Sequence, residues 1–327
     1  MHELFHPVQL NKTLIPGNIF LAPLAGYTDR AFRDLSAAFG ADLTFTEMVS
    51  CEGILRENKK TIKLLEPAEN ESLFGIQIFT SNPEKAKESL EILLPLKPAV
   101  IDLNCGCPVP KVIKTGAGSA LMRSPEKIQQ IIHALSTNTD IPITVKIRLG
   151  WDRDSINFLD TADAAVQGGA AAVSMHARTR SQGYSGTADI SAIKILKEHS
   201  PVPVLGSGDL FTPEAVQRML RETGCDGVLI ARGAMGNPFI FQQTKALLTE
   251  GKTPAPPTSR EKTAAALEHI RKCVHYFGEE ICCKEMKKHL CAYTKGLPGG
   301  ARLRNSLVHA ESVSQFKDFL DDYLKSL

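Results

Sequence analysis

Five residues, Asn104-Cys105-Gly106-Cys107-Pro108, follow directly on the apolar run Ala99-Val100-Ile101-Asp102-Leu103. A short β-type run that ends in Gly and Pro delivers its last side chains to the end of a sheet, where the backbone turns and a ligand can approach. A thiol in that place is either a buried small hydrophobe or a reactive group held at a mouth. Other polar groups stand in comparable positions. Gln77, Lys146 and Arg148 lie within apolar runs, and His176-Ala177-Arg178-Thr179-Arg180, Ser207-Gly208-Asp209 and Ala231-Arg232-Gly233 close three more. Pro23-Leu24-Ala25 follows another, where small residues expose backbone amides.

These groups need a frame, and the first three quarters of the chain supplies one. Apolar β candidates at Ile19–Pro23, Leu43–Glu47, Leu73–Phe79, Val100–Asn104, Ile143–Arg148, Ala172–His176, Val202–Gly206 and Gly227–Ala231 alternate with amphipathic stretches. The helical stretches are Asp29–Phe39, Pro83–Leu94, Ser124–Ser136, Ser155–Gln167, Ile190–Glu198, Pro213–Glu222 and Pro238–Leu248; the segment after the second strand has no clear period. Ser124-Pro125-Glu126 and Thr212-Pro213-Glu214 read as helix starts. Eight β-then-α units with nearly continuous apolar strands predict a (β/α)8 TIM barrel over residues 1–250. An open doubly wound sheet is the alternative, but the glycine-rich dinucleotide fingerprint after the first strand is absent. The connection Pro108–Arg123 is too long for a plain turn and is expected to lie over the functional end beside Cys107.

Residues 251–259 include Thr253-Pro254-Ala255-Pro256-Pro257, a stiff linker. Beyond it, Glu261–Phe277, Glu280–Lys295 and Val313–Leu324 predict a small all-helical domain over 260–327. Six Lys or Arg (284, 287, 288, 295, 302 and 304) face one acid, Glu285, between Lys284 and Arg304, although the whole chain carries only +2. Such a stretch is either a phosphate-binding surface or a solvated helix face.

Composition is that of a soluble globular protein, with 43% hydrophobic and 23% charged residues in 327. The start has no leader-like pattern and no apolar stretch approaches a membrane span, so a cytoplasmic protein with no membrane partner is expected. The eight cysteines are scattered, which suits reduced thiols. Cys282, Cys283, His289 and Cys291 cluster, but their spacing matches no usual zinc pattern and no metal is expected.

At the carboxyl ends of barrel strands, polar or cationic groups on seven of the eight are hard to explain as packing. Glycine-rich turns after strands seven and eight, with Arg232, suit a phosphate. A neutral ring system meeting Gln77, Lys146 and His176 suits a flavin, with Lys146 stabilising negative charge on the reduced ring.

These motifs together resemble the bacterial tRNA-dihydrouridine synthases. The landmarks are Leu21-Ala22-Pro23-Leu24-Ala25-Gly26-Tyr27-Thr28-Asp29, Thr46-Glu47-Met48, Asp102 to Pro108 and Val145-Lys146-Ile147-Arg148, followed by His176 to Arg180, Gly206 to Asp209 and Ala231 to Gly233. Lys295-Gly296-Leu297-Pro298-Gly299-Gly300 with Arg302 and Arg304 is similar to the B-type subgroup. The resemblance implies bound FMN, NADPH as electron donor and tRNA as substrate, with no protein partner. It implies hydride transfer to C6 of a uridine while Cys107 protonates C5. It places Pro23, Leu24, Ala25, Gln77, Lys146 and His176 on the flavin, and Ser207, Gly208, Asp209, Ala231, Arg232 and Gly233 on its phosphate side. Asn104 and Arg178 are implied to touch the uracil, and Lys287, Lys288, Lys295, Arg302 and Arg304 the tRNA. Leu24 stands where methionine is common, and Ser207 where asparagine is frequent; Cys105 is expected to be a packing residue. Two rival readings remain at this point: a flavin barrel acting on a small pyrimidine, like the dihydroorotate dehydrogenases, and a non-catalytic RNA-binding protein on a degenerate barrel.

Overall fold

The computed structural model describes residues 4–326, so the outermost residues of the expected 1–250 and 260–327 segments lie outside the described residues. The chain opens with a hairpin, β1 (Val8–Leu10) and β2 (Thr13–Ile15), that the sequence reading did not contain. Then come β3 (Ile19–Leu21), α1 (Arg30–Ala38), β4 (Thr44–Phe45), β5 (Val49–Ser50), α2 (Cys51–Leu55), α3 (Lys59–Leu65), β6 (Phe74–Phe79) and α4 (Pro83–Leu93). They are followed by β7 (Val100–Asn104), α5 (Pro110–Ile113), α6 (Pro125–Ser136), β8 (Ile143–Arg148), α7 (Phe158–Gln167), β9 (Ala172–His176) and α8 (Ile190–His199). β10 (Val204–Ser207), α9 (Pro213–Thr223), β11 (Gly227–Ile230) and α10 (Phe239–Glu250) complete the β/α part.

The strands β3, β4 and β6 to β11 form one parallel ring, closed where Phe20 bridges Leu43. This is a TIM barrel with helices around it. β5 adds a short second segment beside β6. The first and second strands are shorter than expected, because their upper residues already belong to the loops that line the mouth.

Side chains alternate between the two faces of each strand, and here the alternation sorts chemistry. Ile76, Ile78, Ile101, Leu103, Cys105, Val145, Ile147, Val173 and Met175 point outward into the core under the helices. The inward rows begin apolar and end polar: Val100-Asp102-Asn104, Ala172-Ser174-His176 and Leu205-Ser207 are examples. The hairpin residues Val8, Leu10 and Ile15 pack with Phe20, Phe45, Val100, Ala172, Leu205 and Leu229, plugging the lower end. A side chain at Gly75 would meet the Phe45 ring at 2.5 Å, so Phe45 occupies that interior space. Thr212 caps α9 as its sequence implies, its side chain accepting from Ala215 N. Ser124 makes no such side-chain cap on α6, where Pro125 alone marks the start.

Gly251 ends α10 in the left-handed region, and Thr258 with Glu261 forms a capping box that starts α11 (Ser259–Phe277). α12 (Glu279–Tyr293), α13 (Gly300–His309) and α14 (Val313–Lys325) follow. α13 was not foreseen, because Gly299-Gly300 reads as a break rather than as a start. This helical region packs on α1: Ala31, Leu35 and Phe239 share an apolar cluster with Ile270, Cys273, Leu290 and Tyr293. Lys272 Nζ lies 2.9 Å from Asp34 Oδ1 inside that contact, and both side chains are buried. Among the described residues no helix is long and apolar enough to cross a membrane.

Candidate active site

The upper end of the barrel holds a cleft of about 390 Å3, within the usual range for small-molecule sites. Strand register assembles its wall. β6 sets Gln77 beside Asp102, β8 sets Lys146 beside Asn104, and Arg148, His176 and Ser207 lie in line across β8, β9 and β10.

Cys107 lies where β7 has just ended, and a chain of hydrogen bonds fixes it. Cys107 N and Gly106 N donate to Asn104 Oδ1 at 2.9 and 3.2 Å, closing a tight turn. Asn104 Nδ2 donates to Gln77 Oε1 at 2.8 Å, and Gln77 Nε2 to Asp102 Oδ2 at 2.7 Å. Thr144 Oγ1 donates to the other carboxylate oxygen of Asp102 at 2.7 Å. From the far side, Ser119 N and Oγ donate to Cys107 O at 3.1 and 2.9 Å, so the long loop clamps the turn. The sulfur lines the cleft, whereas Cys105, two residues earlier, is wholly buried in the outer core. Strand alternation alone would put both thiols on one face; the turn that Asn104 closes after the end of β7 breaks the alternation and separates them. Burial pushes the Cys107 thiol above its ordinary value, against smaller opposing effects of the Val109 amide, Arg148 and Lys146, so it is protonated near neutral pH.

The cleft is electropositive. Burial and the neighbouring Arg148 push Lys146 down to about 8, with Asp102 only partly compensating. Burial, Lys146, Arg148, Arg178 and Arg232 push His176 down to about 2, so its imidazole is neutral. Arg178 Nη1 lies 3.2 Å from His176 Nε2. A guanidinium only donates, so Nε2 accepts and the ring proton sits on Nδ1.

Two turns close the opposite side. Asp209 accepts from Arg178 Nη2, Arg232 Nη2 and Ala188 N at 2.7, 3.2 and 2.9 Å. Burial would raise its pKa, but that amide and the two guanidinium groups outweigh it and hold the carboxylate ionised. Asp209 and Gly208 both have positive φ, 53° and 128°. A side chain at Gly208 would meet Ala188 Cβ at 2.7 Å and His176 Cδ2 at 3.3 Å. Glycine therefore lets the backbone approach the cleft here. After β11, Arg232–Ala234 makes one short turn whose first N–H groups have no partner inside it.

Pro23, Leu24, Ala25, Gln77, Asn104, Cys107, Lys146, His176, Ser207, Gly208, Asp209, Ala231, Arg232 and Gly233 all line this one cleft. Arg178 does not. Its guanidinium is 1% exposed and is used up by Asp209, His176, Ser185 O at 3.0 Å and Gly186 O at 2.6 Å. In this structure it holds Asp209 and the His176 tautomer from behind rather than lining the cleft beside Asn104. Tyr184, Phe211, Met48, Tyr27 and Arg148 join the lining without having been singled out for the site. Arg148 carried a signal, two residues beyond Lys146 on one strand face; Tyr184 and Phe211 lie in irregular loops, where no period points to them. Arg232 stacks over Tyr184 and Phe211, 4.5 and 5.2 Å from their centroids.

The five cations of the helical region implied to touch the tRNA do not share one face. Lys295 and Arg302 are exposed. Lys288 pairs with Glu285 and sits 5.7 Å above the Tyr27 ring at the cleft. Lys287 faces a separate shallow groove with Glu279, Ala310 and Val313. Arg304 donates to Thr294 O at 2.7 Å and staples the turn before α13.

The chain matches the family described as "Dihydrouridine synthase (Dus)" over residues 20–327. It is 42% identical over 331 residues to "Probable tRNA-dihydrouridine synthase" of Treponema pallidum, covering 98% of this chain and 97% of that one. It is 35% identical over 318 residues to "tRNA-dihydrouridine synthase B" of Pseudomonas aeruginosa, covering 94% and 95%. Among solved structures, an old yellow enzyme homologue from Zymomonas mobilis superimposes with a TM-score of 0.55 at 11% identity, covering 77% of this chain and 94% of that one, a likeness of fold.

Proposed function

The chain belongs to the dihydrouridine synthase family, and on that premise we propose that it is an FMN-dependent tRNA-dihydrouridine synthase using NADPH. The observation that carries the reading is a buried, protonated thiol, Cys107, on the wall of an electropositive cleft floored by Gln77, Lys146 and His176.

The residues fit the cofactor. Lys146 brings a positive charge into the wall with only partial internal compensation, and Gly208 leaves room for close backbone approach. Arg232 and the turns at Ser207-Gly208-Asp209 and Ala231-Arg232-Gly233 would hold the phosphate of FMN; Pro23, Leu24, Ala25, Gln77, Lys146 and His176 would hold its ring. When bound, FMN would supply hydride chemistry between the nicotinamide donor and C6 of the uracil. Addition at C6 leaves electron density at C5 next to a carbonyl, and Cys107 gives its proton there. The thiolate left behind is reprotonated from solvent. Asn104 holds the Cys107 amide and so sets where the sulfur stands, and its side chain also faces the uracil. A uridine must leave its stack to reach this depth. Lys288, Lys295 and Arg302 would meet tRNA phosphates along the approach, with Lys287 and Arg304 at the margin of that surface. This reading places the protein in the cytoplasm, with tRNA and NADPH.

The test starts with the visible spectrum of the purified chain and anaerobic addition of NADPH. Flavin bands that bleach, followed by dihydrouridine in a digest of unmodified tRNA incubated with the protein, are the expected results. A chain that takes up no FMN sinks the enzymatic reading. A chain that reduces a free pyrimidine as readily as tRNA sinks the assignment of substrate.

A further inference from the structure

A second polar cluster lies outside the cleft, where the barrel meets the helical region. Asp29 sits at the N-cap of α1, His269 on α11 and His289 on α12. One ligand atom from each lies within 4.8 Å of the other two. Both histidines are fully buried. Neither nitrogen of His289, nor Nε2 of His269, has a hydrogen-bond partner among the described residues. Native structures rarely leave one buried polar side-chain atom unpaired, and here three converge.

An ion pair does not explain the cluster. His289 Nε2 is 3.5 Å from Asp29 Oδ2, well beyond the length of a charge-assisted hydrogen bond. Asp29 spends Oδ1 on Phe32 N at 2.9 Å, which leaves Oδ2 turned toward the rings. The rings are locked. Phe32 stacks on His269 at 5.5 Å and lies against His289 at 5.4 Å, while Tyr27 meets the edge of His289 at 5.3 Å. Tyr293 Oη lies 3.4 Å from His269 Nδ1, which engages the second ring nitrogen and leaves Nε2 as the free donor. A partner on the far nitrogen that fixes tautomer and ring orientation is the usual support of a metal-bound histidine.

We propose that Asp29, His269 and His289 bind a divalent first-row transition ion, with Zn2+ as its natural probe. Two imidazoles and one carboxylate suit Zn2+ and its neighbours rather than Mg2+ or Ca2+, which prefer oxygen. Three protein ligands leave one tetrahedral position for water. The ion ties the loop after β3 to both long helices, and so fixes the helical region against the barrel beside Tyr27, which lines the cleft. The site departs from the expectation of no metal, because its ligands lie 240 residues apart along the chain and form no spacing motif. The inference does not rest on the proposed catalytic function.

The test uses the full-length chain, stripped with chelator and titrated with Co2+ and Zn2+. One equivalent of Co2+ with visible bands of a four-coordinate N/O site is expected, along with a higher melting temperature in Zn2+. His289→Gln should weaken Co2+ binding by about a hundredfold or more. Asp29→Asn keeps the cap on α1 and should weaken it less, by about tenfold. Zinc-edge X-ray absorption of the unmutated protein needs no variant to fold, and should show nitrogen and oxygen neighbours. Failure to bind Co2+, binding untouched by both substitutions, or sulfur in the first shell would each overturn the assignment. In the first case a buried water bridges the same three groups.

Discussion

The barrel mouth and the seam under the helical region both bury charge, and they treat it differently. At the seam, Lys272 meets Asp34 directly, and Asp34 also accepts from Tyr276 and Asn70. Nearby, Arg33 meets Glu71 at 2.8 Å with both side chains buried, and Arg33 Nη2 donates to Glu66 O at 2.6 Å. These two buried pairs each meet their counter-charge inside the fold. At the mouth, Lys146, Arg148, Arg178 and Arg232 converge on one neutral histidine, with Asp102 and Asp209 as the compensating acids. A seam of satisfied pairs serves cohesion. A mouth with surplus positive charge is arranged for something that arrives from outside, and its cost to the free protein is offset when an anion binds.

The comparison breaks most visibly if Cys107 proves dispensable. Cys107→Ala should lower turnover on tRNA by about 10²- to 10⁴-fold, while bound flavin still bleaches with NADPH; unchanged turnover in a single-turnover assay removes the thiol from the chemistry. At the seam, Asp34→Ala should cost about 3–5 kcal/mol in urea unfolding, because it leaves the buried Lys272 ammonium only the longer, partly exposed contact to Glu268 at 3.6 Å. A loss under about 1 kcal/mol would mean that water reaches the seam.

Lys146 offers a finer distinction. Its folded-state pKa, near 8, lies below the ordinary Lys value, so its charge is present below pH 8 and lost as pH rises through it. Affinity of the flavin-free chain for FMN should then fall by up to about tenfold per pH unit above 8, read by quenching of flavin fluorescence. Lys146→Met should be weaker throughout and flat over that interval; a parallel decline in the variant would assign the limb to another group. The smallest expected effect lies on the helical surface. Reversing Lys295 and Arg302 should make the salt dependence of tRNA binding shallower by about two in log–log slope, with no change in melting temperature. An unaltered slope makes both of them solvated bystanders.

Much of this was legible in the residues. The barrel follows from eight apolar runs alternating with amphipathic ones, since periods of 2 and 3.6 are local properties of the chain. Side chains at strand ends were legible for the same reason: Gln77, Asn104, Lys146, His176 and Ser207 are placed by counting along a strand. The lower plug was not, because each strand of the hairpin is only three residues long, too short for a period to show. α13 was hidden by the glycines at its start.

What the sequence determined alone is therefore the class of fold and the kinds of group delivered to its mouth. Tertiary structure decided which of those groups are free to meet a ligand. Arg178 and Arg232 are both strand-end arginines, yet loop closure around Ser185 and Gly186 consumes the first and leaves the second in the cleft. It also split the basic stretch, turning Lys288 toward Tyr27 and Lys287 toward α14, and it gathered Asp29, His269 and His289 from distant segments. These outcomes depend on contacts between residues far apart in the chain, and no local period encodes which partner a side chain will find when the helices close over the barrel.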